Sequence, residues 1–259
     1  MLKSISIVIL MTGLFYHFKL DYNQDDVVLP AKCPDKAFVV IELFTSQGCS
    51  SCPAADALLK KVTNLSNERQ LPVYTLSFHV DYWDKLGWKD SFSDQKNTQR
   101  QYAYGRAFSR QNIYTPQMII NGTYEFVGSD KSLCEEYISS ELSQKRKKRI
   151  PVSASYSLTD NKIHIDYSVP GTFSGFVNFA VLQKKGKVDI KSGENGGRSI
   201  NYTNIVRQFT QIDCYDESNK GEIGIDKPVD LDGNNMTVLV YLQNKLNMKV
   251  EGVKEARPL

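Results

Sequence analysis

Two cysteines separated by two residues carry the clearest chemical signal in this sequence. Cys49 and Cys52 follow residues 38–44, an apolar run with the length and β-branched content of a buried strand. Apolar residues then recur at helical spacing, which predicts a helix that begins at the cysteine pair. Backbone N–H groups at a helix start lack intrahelical partners and favour thiolate over thiol. The spacing therefore predicts that Cys49 is a nucleophile and that Cys52 resolves the mixed disulfide.

The same spacing leaves two structural roles open for the pair, a static disulfide or half of a metal site. His79 and Asp81 lie at the end of a second predicted strand, residues 73–80. This is the end of the sheet at which the cysteines are expected. Copper or zinc could be bound by the two cysteines together with His79. His79 could instead accept the proton of the Cys52 thiol, or form a hydrogen bond to Asp81.

Several other side chains could serve the pair, each with a plainer alternative. Glu42 interrupts the first predicted strand, where burial would raise the pKa of its carboxyl and suit it to proton relay. It could equally face solvent at the sheet edge. Trp83 could line a substrate groove or pack in the core. Glu194 and Arg198 belong to a polar stretch, residues 184–201, that could reach over the cysteines or form only a loop.

Several motifs resemble a secreted thioredoxin-like family of unknown function. The strongest is ELFTSQGCSSCP at residues 42–53. The others are HVDYW at 79–83, LGWKD at 86–90, YTPQM at 114–118, FVGSD at 126–130, GENGGR at 193–198 and NIVR at 204–207. The resemblance implies a thioredoxin fold with an appended β-rich region, and it implies no established substrate. It also implies that Pro116, after Thr115, is a cis-proline that faces the cysteines, with both residues positioning the substrate.

The N-terminus has the pattern of a targeting segment. Residues 4–16 are mostly apolar and follow Lys3, as in the core of a signal peptide. No small-x-small cleavage site follows, so an uncleaved anchor that attaches the chain to the membrane is the alternative. Either interpretation places the rest of the chain outside the cytoplasm, in the periplasm or the medium, where disulfides persist.

Composition and the change in sequence pattern after Pro151 predict the domain organisation. The chain has 259 residues, of which 41% are hydrophobic and 24% charged, as in a globular protein. We expect a signal peptide or anchor with its linker at 1–32 and an α/β thioredoxin-like domain with a helical insertion at 33–150. Short alternating segments after Pro151 predict a C-terminal β-sandwich domain at 151–259. A basic run, residues 145–149, precedes this boundary.

The leading functional hypothesis is an extracytoplasmic thiol–disulfide oxidoreductase that acts on protein or small-molecule disulfides. We expect protein thiols of the cell envelope as partners, and no cofactor beyond a redox-active disulfide between Cys49 and Cys52. A net charge of +3 is too small to indicate a nucleic-acid partner. A metal-delivery protein and a non-catalytic envelope adaptor are the alternatives. The remaining cysteines are isolated in sequence, so two of them could pair; they are Cys33, Cys134 and Cys214.

Overall fold

A computed structural model describes residues 26–144, 150–215 and 218–259. In these ranges the α-helices are α1 (Cys52–Glu68), α2 (Gln95–Ala107) and α3 (Lys131–Ser143), with a short 3₁₀ helix at Gly233–Asn235. The strands are β1 (Val39–Thr45), β2 (Val73–His79), β3 (Gln117–Ile120), β4 (Tyr124–Val127), β5 (Ser153–Thr159), β6 (Lys162–Pro170), β7 (Gly175–Asp189), β8 (Ser199–Cys214), β9 (Ser218–Asp226), β10 (Met236–Gln243), β11 (Val250–Glu255) and β12 (Arg257–Pro258).

The strands form two sheets. The larger has eight strands in the order β11-β10-β7-β8-β2-β1-β3-β4, and the smaller has four in the order β12-β5-β6-β9. Parallel pairing joins β1 to β2, and antiparallel pairing joins β1 to β3, so the larger sheet is mixed. Buried apolar residues cover both of its faces: α1 and α3 pack on one face of β1, and α2 packs on the other. A further apolar cluster fills the space between the two sheets.

The local sequence explains why the segment around the cysteines folds as it does. All seven residues of β1 are buried, as its continuous apolar run predicts. The chain then turns, and α1 begins at Cys52 with Pro53 in its first turn. A proline there sacrifices no intrahelical hydrogen bond. Leu58, Leu59 and Val62 follow at helical spacing and bury one face of α1 against the sheet.

This architecture shows that the predicted fold class is wrong. We expected an α/β thioredoxin-like domain with a helical insertion, followed by a C-terminal β-sandwich. The described residues are instead mostly β-sheet with three short helices, and one sheet contains strands from both sides of Pro151. The junction is a parallel pairing of β2 with β8, at Ser77 and Ile205. No separate sandwich therefore follows the N-terminal half within the described residues.

The error has a physical origin in two long strands. β7 has 15 residues and β8 has 16, and they pair antiparallel along almost their whole length. Much of the paired region near their shared connection is polar and exposed, between residues 184 and 201. Polar composition predicted a loop there. Cross-strand hydrogen bonding, which periodicity alone does not show, keeps both strands extended.

Two predicted segments lie outside the described residues. They are the targeting or anchoring stretch at 4–16 and the basic run at 145–149. Within the described ranges, no helix combines the length and the apolar character needed to cross a membrane. The division of the chain at residue 150 stays a prediction.

Candidate active site

A disulfide between Cys49 and Cys52 lies at the junction of β1 and α1. The two Cα atoms are 5.4 Å apart. The backbone N–H of Cys52 donates to the carbonyl of Cys49 across 3.2 Å, which closes the turn that starts the helix. Ser50 and Ser51 are exposed, whereas both cysteines are 0% exposed. The pair thus lies at the helix start that the sequence predicts, but its sulfur atoms are covered.

Trp83 and the Thr115–Pro116 segment lie beside the disulfide. The backbone of Gly48 passes close to Trp83, since a Cβ added there would lie 3.4 Å from the Trp83 Cβ. The Trp83 indole Nε1 donates to the Thr115 hydroxyl across 2.8 Å. The Thr115–Pro116 peptide bond is cis. A Cβ added at Gly128 would lie 3.2 Å from both Pro116 and Ala55, which places Pro116 against the first turn of α1.

A connection from the C-terminal half of the chain completes the site. We call residues 191–198 the 191–198 loop; together with Ile190 it joins β7 to β8. The Asn195 side-chain amide donates to the carbonyls of Gln47 (2.9 Å) and Cys49 (2.8 Å), and Asn195 is 0% exposed. The Glu194 carboxylate accepts from the Ser50 backbone N–H across 3.0 Å. Two side chains of the polar stretch are therefore hydrogen-bonded to the turn that carries the cysteines.

Arg198, the other predicted residue of this loop, contacts the cysteine turn only through Asn195. Arg198 donates to the Asn195 side-chain oxygen across 3.1 Å, which orients the amide that contacts the cysteine turn. Hydrogen bonds from the Ser50 hydroxyl and amide lower the pKa of Glu194. Glu194 is therefore a carboxylate at neutral pH.

The loop is also tied to the segment that precedes α2. The Ser192 hydroxyl donates to the Gly87 carbonyl across 2.5 Å. Gly193 has a φ of 73°, and a Cβ there would lie 3.1 Å from the Trp88 Cβ, so glycine satisfies both the conformation and the close approach. The Trp88 indole donates to the Gln47 side-chain oxygen across 2.8 Å.

Beneath the disulfide lies a buried network of ionisable groups. The Asp90 carboxylate accepts from the Gln47 N–H (2.8 Å) and lies 2.7 Å from His79 Nδ1. Asp56, one helical turn after Cys52, accepts from the Thr45 hydroxyl across 3.1 Å. All of these side chains are fully or almost fully buried. The network connects the end of β1, the end of β2 and the first turns of α1.

The environment shifts the pKa values of two of these groups. Burial raises the pKa of Asp56 to about 7, although His79 and the Thr45 hydroxyl partly oppose the rise. Burial disfavours the charged form of His79, but the attraction of Asp90 outweighs it, and the pKa of His79 is raised. Asp56 is therefore a carboxyl group that can gain or lose a proton near neutral pH.

The His79 imidazole is enclosed on its other sides. The rings of Tyr202 and Phe92 pack edge-on against it, with centroids 4.9 Å and 5.3 Å away. Its Nε2 atom and the Tyr202 hydroxyl have no hydrogen-bond partner among the described residues. Asp56 and Asp90 contribute to a raised pKa of Tyr202, after burial itself, so this phenol faces the same acidic pair.

Two predicted residues have partners that the sequence did not indicate. The hydrogen bond expected between His79 and Asp81 is wrong: His79 contacts Asp90, and Asp81 accepts from the Thr98 hydroxyl across 2.5 Å. Glu42 is 1% exposed, so it does not face solvent. It forms a two-fold ion pair with Arg100, with contacts of 2.5 Å and 2.7 Å.

The cluster around Glu42 points away from the cysteine pair. The Tyr104 hydroxyl donates to Glu42 across 2.7 Å, and Arg100 donates to the Tyr241 hydroxyl across 2.8 Å. Tyr104 lies on α2 and Tyr241 on β10. The contacts of Glu42 therefore join β1 to α2 and to the C-terminal strands.

Sequence reasoning missed the buried acids. Asp56 follows Cys52 by four residues on a predicted helix, so its position on the same face could have been inferred from spacing. Asp90 ends the LGWKD motif at 86–90, but an irregular segment separates it from β2, so the spacing gave no sign that it contacts His79. Among the described residues, no group of three or more His, Cys, Asp or Glu side chains is arranged to hold a metal ion.

The cysteines outside the pair lie elsewhere in the fold. Cys33 is half-buried and Cys134 is buried, both as free thiols. Cys214 is buried at the end of β8.

Comparison with known proteins identifies relatives over most of the chain. A family model described as "Protein of unknown function (DUF1223)" matches residues 40–243. The crystal structure of protein AGR_C_4864 from Agrobacterium tumefaciens is similar, with a TM-score of 0.65 and 29% identity over 86% of this chain and 96% of that one. HBP35 of Porphyromonas gingivalis has a TM-score of 0.62 and 14% identity, over 88% and 78% of the two chains, and shares the fold. No curated protein matches the chain.

Proposed function

This chain belongs to the DUF1223 family, whose function is unknown, and from its site we propose that it is an extracytoplasmic thiol–disulfide oxidoreductase acting through Cys49 and Cys52. One observation carries the proposal. The disulfide lies at the start of a helix, one turn before Asp56, a buried carboxyl group whose pKa is about 7. A disulfide that only braces a fold has no need of a proton exchanger beside it.

The proposed reaction transfers two electrons between this disulfide and a substrate. A substrate thiolate attacks the Cys49 sulfur, the Cys49–Cys52 bond breaks, and its electron pair leaves on the Cys52 sulfur. A second substrate thiol then loses its proton and attacks the substrate sulfur of the mixed disulfide. Cys49 leaves as a thiolate and the substrate becomes a disulfide. The reverse sequence reduces a substrate disulfide.

Asp56 is proposed to exchange the proton of Cys52. Residues four apart on a helix are neighbours on one face, so the Asp56 carboxyl lies one turn from the Cys52 side chain. With a pKa of about 7, it is protonated in a large share of molecules at neutral pH. It can give a proton to the departing Cys52 thiolate, and take one back when Cys52 attacks. His79, proposed from the sequence as the acceptor, instead tunes Asp56 through its charge.

Substrate binding is proposed along the surface that surrounds the pair. Thr115 and Trp83 form one side of this surface, with Pro116 buried next to Thr115, and Glu194 and Arg198 form the other through the 191–198 loop. Such a surface suits an extended segment of an envelope protein that carries a thiol or disulfide. Retention of a disulfide requires an oxidising compartment, which supports a location outside the cytoplasm.

The test is a disulfide-exchange assay on the purified protein with a dithiol peptide and its oxidised form. Cys49→Ser should abolish turnover, and Cys52→Ser should accumulate a mixed disulfide with the substrate that a mass spectrometer detects. Cys33→Ser is the matched control, because this half-buried thiol lies apart from the site, and it should retain full turnover. Turnover that survives Cys49→Ser would disprove the proposal.

Binding of one equivalent of copper or zinc by the reduced protein without any exchange would favour metal delivery. If wild type and all variants lack disulfide exchange but still bind an envelope partner, the result would favour a non-catalytic adaptor.

A further inference from the structure

The 191–198 loop holds the cysteine pair closed. Cys49 is 0% exposed although Ser50 and Ser51, which follow it directly, are exposed. Asn195, also 0% exposed, binds the carbonyls on both sides of Gly48. A substrate sulfur must approach Cys49 along the axis of the disulfide to react. The residues that cover Cys49 must therefore move before the pair can exchange with a substrate, and the 191–198 loop is bonded to the Cys49 carbonyl and to the Ser50 N–H.

Glu194 occupies a donor that a Cys49 thiolate would use. Before the first full turn of a helix, backbone N–H groups have no intrahelical acceptor and stabilise an adjacent anion. Ser50 lies directly before Ser51, the N-cap residue of α1, and its N–H belongs to the residue next to Cys49. In the structure it donates to the Glu194 carboxylate across 3.0 Å. The Ser51 hydroxyl, 3.4 Å from the Cys49 sulfur, is the polar side chain that contacts the sulfur itself.

The effect of this contact differs between the two redox states. The disulfide carries no charge, so the Glu194 carboxylate can approach it without repulsion. A Cys49 thiolate would meet a like charge close by and would lack the Ser50 N–H. The closed loop therefore binds the oxidised pair more strongly than the reduced pair. By linkage, the loop stabilises the disulfide, and reduction loosens the loop.

We propose that the 191–198 loop is a redox-coupled cover of the cysteine pair, in which Glu194 sets the acidity and reduction potential of Cys49. The inference rests on the proposed function, since it describes how the same pair is controlled. Glu194 is a positioning residue that acts through the Ser50 amide and through its charge. The other ionisable groups described around the pair are Asp56, Asp90 and His79 in the buried network and Arg198 on the loop, and all of them are left unchanged in the test.

The first experiment compares Glu194→Gln with Glu68→Gln in the full chain. Glu68 is an exposed acid at the far end of the same helix, about 24 Å from Cys52 for 16 residues of helix. Reduced proteins are alkylated with iodoacetamide from pH 5 to pH 9, and oxidised proteins are equilibrated with glutathione. In that equilibrium two glutathione thiols reduce the disulfide and become one glutathione disulfide. Glu194→Gln should raise the alkylation rate at pH 6.5 by about three- to tenfold and favour the dithiol by a similar factor. Glu68→Gln should match wild type.

The second experiment tests the cover without changing charge. Ser192→Ala removes the hydrogen bond to the Gly87 carbonyl at an exposed position, so the fold should be retained. The disulfide of this variant should be reduced by a phosphine about fivefold faster than that of wild type, as loss of one hydrogen bond allows.

The outcomes separate this inference from the proposed function. A Glu194→Gln variant that matches Glu68→Gln in both alkylation and glutathione equilibrium overturns the role of Glu194. A Ser192→Ala disulfide reduced at the wild-type rate overturns the cover. Both readouts are independent of turnover. Altered acidity in Glu194→Gln, together with a wild-type protein inactive toward substrates, would support the inference and disprove the proposed function.

Discussion

The Asn195 side-chain amide donates to the Cys49 carbonyl across 2.8 Å, between residues 146 positions apart in the sequence. The bond joins the loop after β7 to the turn that carries the disulfide. The cysteine site is therefore built jointly by the two halves of the chain. The pairing of β2 with β8 joins the two halves in one sheet, and the hydrogen bonds of Asn195 and Glu194 attach the loop between β7 and β8 to the cysteine turn.

The Glu42–Arg100 pair predicts a large loss of stability when one partner is neutralised. Both side chains are almost fully buried, and the bidentate contact satisfies the guanidinium together with Tyr104 and Tyr241. Glu42→Gln leaves the Arg100 charge buried without a counter-charge. We expect the free energy of unfolding to fall by about 3–5 kcal/mol, measured by urea denaturation.

The matched control is the exposed pair between Lys162 and Asp226, whose side chains are 54% and 83% exposed. Lys162→Gln should cost about 1 kcal/mol or less, because solvent screens that pair. Equal losses for Glu42→Gln and Lys162→Gln would contradict the burial of Arg100 as the dominant factor.

Asp56 predicts a specific pH dependence of stability. Burial raises the pKa of its carboxyl from 3.8 to about 7 in the folded protein. Between these pH values the folded protein binds more protons than the unfolded chain, so this group makes stability fall as pH rises. Asp56→Asn removes the cost of ionisation. The free energy of unfolding of the variant should rise relative to that of wild type from pH 4 to pH 7, by up to about 4 kcal/mol. Above pH 7 this difference should remain constant.

Urea denaturation of both proteins at pH 4, 5.5, 7 and 8 measures this difference. A stability gap that does not change with pH would show that Asp56 is ionised throughout. Asp56→Asn should also slow exchange at Cys52 while Cys49 alkylation keeps its rate, which separates proton transfer from the acidity of the nucleophile.

Local pattern could predict the elements that carry the cysteines. The apolar run of β1, the helical spacing after Cys52 and Pro53 in the first turn each act within a few residues, and each has its expected structure. The polar segment at 193–198 could be singled out as a loop able to reach the pair, because its composition is typical of a loop.

The remaining features depend on contacts between distant segments. Asp90 reaches His79 only because an irregular segment folds back on β2, and no periodicity marks that return. The single eight-stranded sheet depends on the long polar strands β7 and β8, whose exposed halves have the composition of loops. Hydrogen bonding between strands is almost independent of side-chain type, so a pattern of side chains cannot show it.

The close packing around Gly128 leaves no room for a side chain between Pro116 and α1. A Cβ at this position would lie 2.7 Å from the Leu43 side chain and 3.2 Å from both Ala55 and Pro116. Gly128→Ala should therefore push these groups apart and lower the free energy of unfolding by about 1–3 kcal/mol. Gly224→Ala on β9 is the control, because its Cβ would meet only the Lys162 side chain, at 4.0 Å. Thermal unfolding should show a clear loss for the first variant and a change within about 0.5 kcal/mol for the second. A neutral Gly128→Ala would refute the tight contact.

The buried ion pair between Asp90 and His79 should stabilise the folded protein most at acidic pH. Asp90 raises the pKa of His79 above 6.5 against the opposing effect of burial. The stabilisation from this pair is complete below the unfolded pKa of histidine and is lost as pH rises through the higher folded value. Asp90→Asn should therefore destabilise the protein most below pH 6, by about 3 kcal/mol, and least above pH 8. A residual loss of about 1 kcal/mol should persist at high pH, because Asp90 also accepts from the Gln47 N–H.

Glu222→Gln removes the carboxylate of the exposed His164 pair and should change stability by less than about 1 kcal/mol at every pH. If Asp90→Asn costs the same at pH 5 and pH 8, His79 carries no charge in the folded protein, and its proposed influence on Asp56 fails with it.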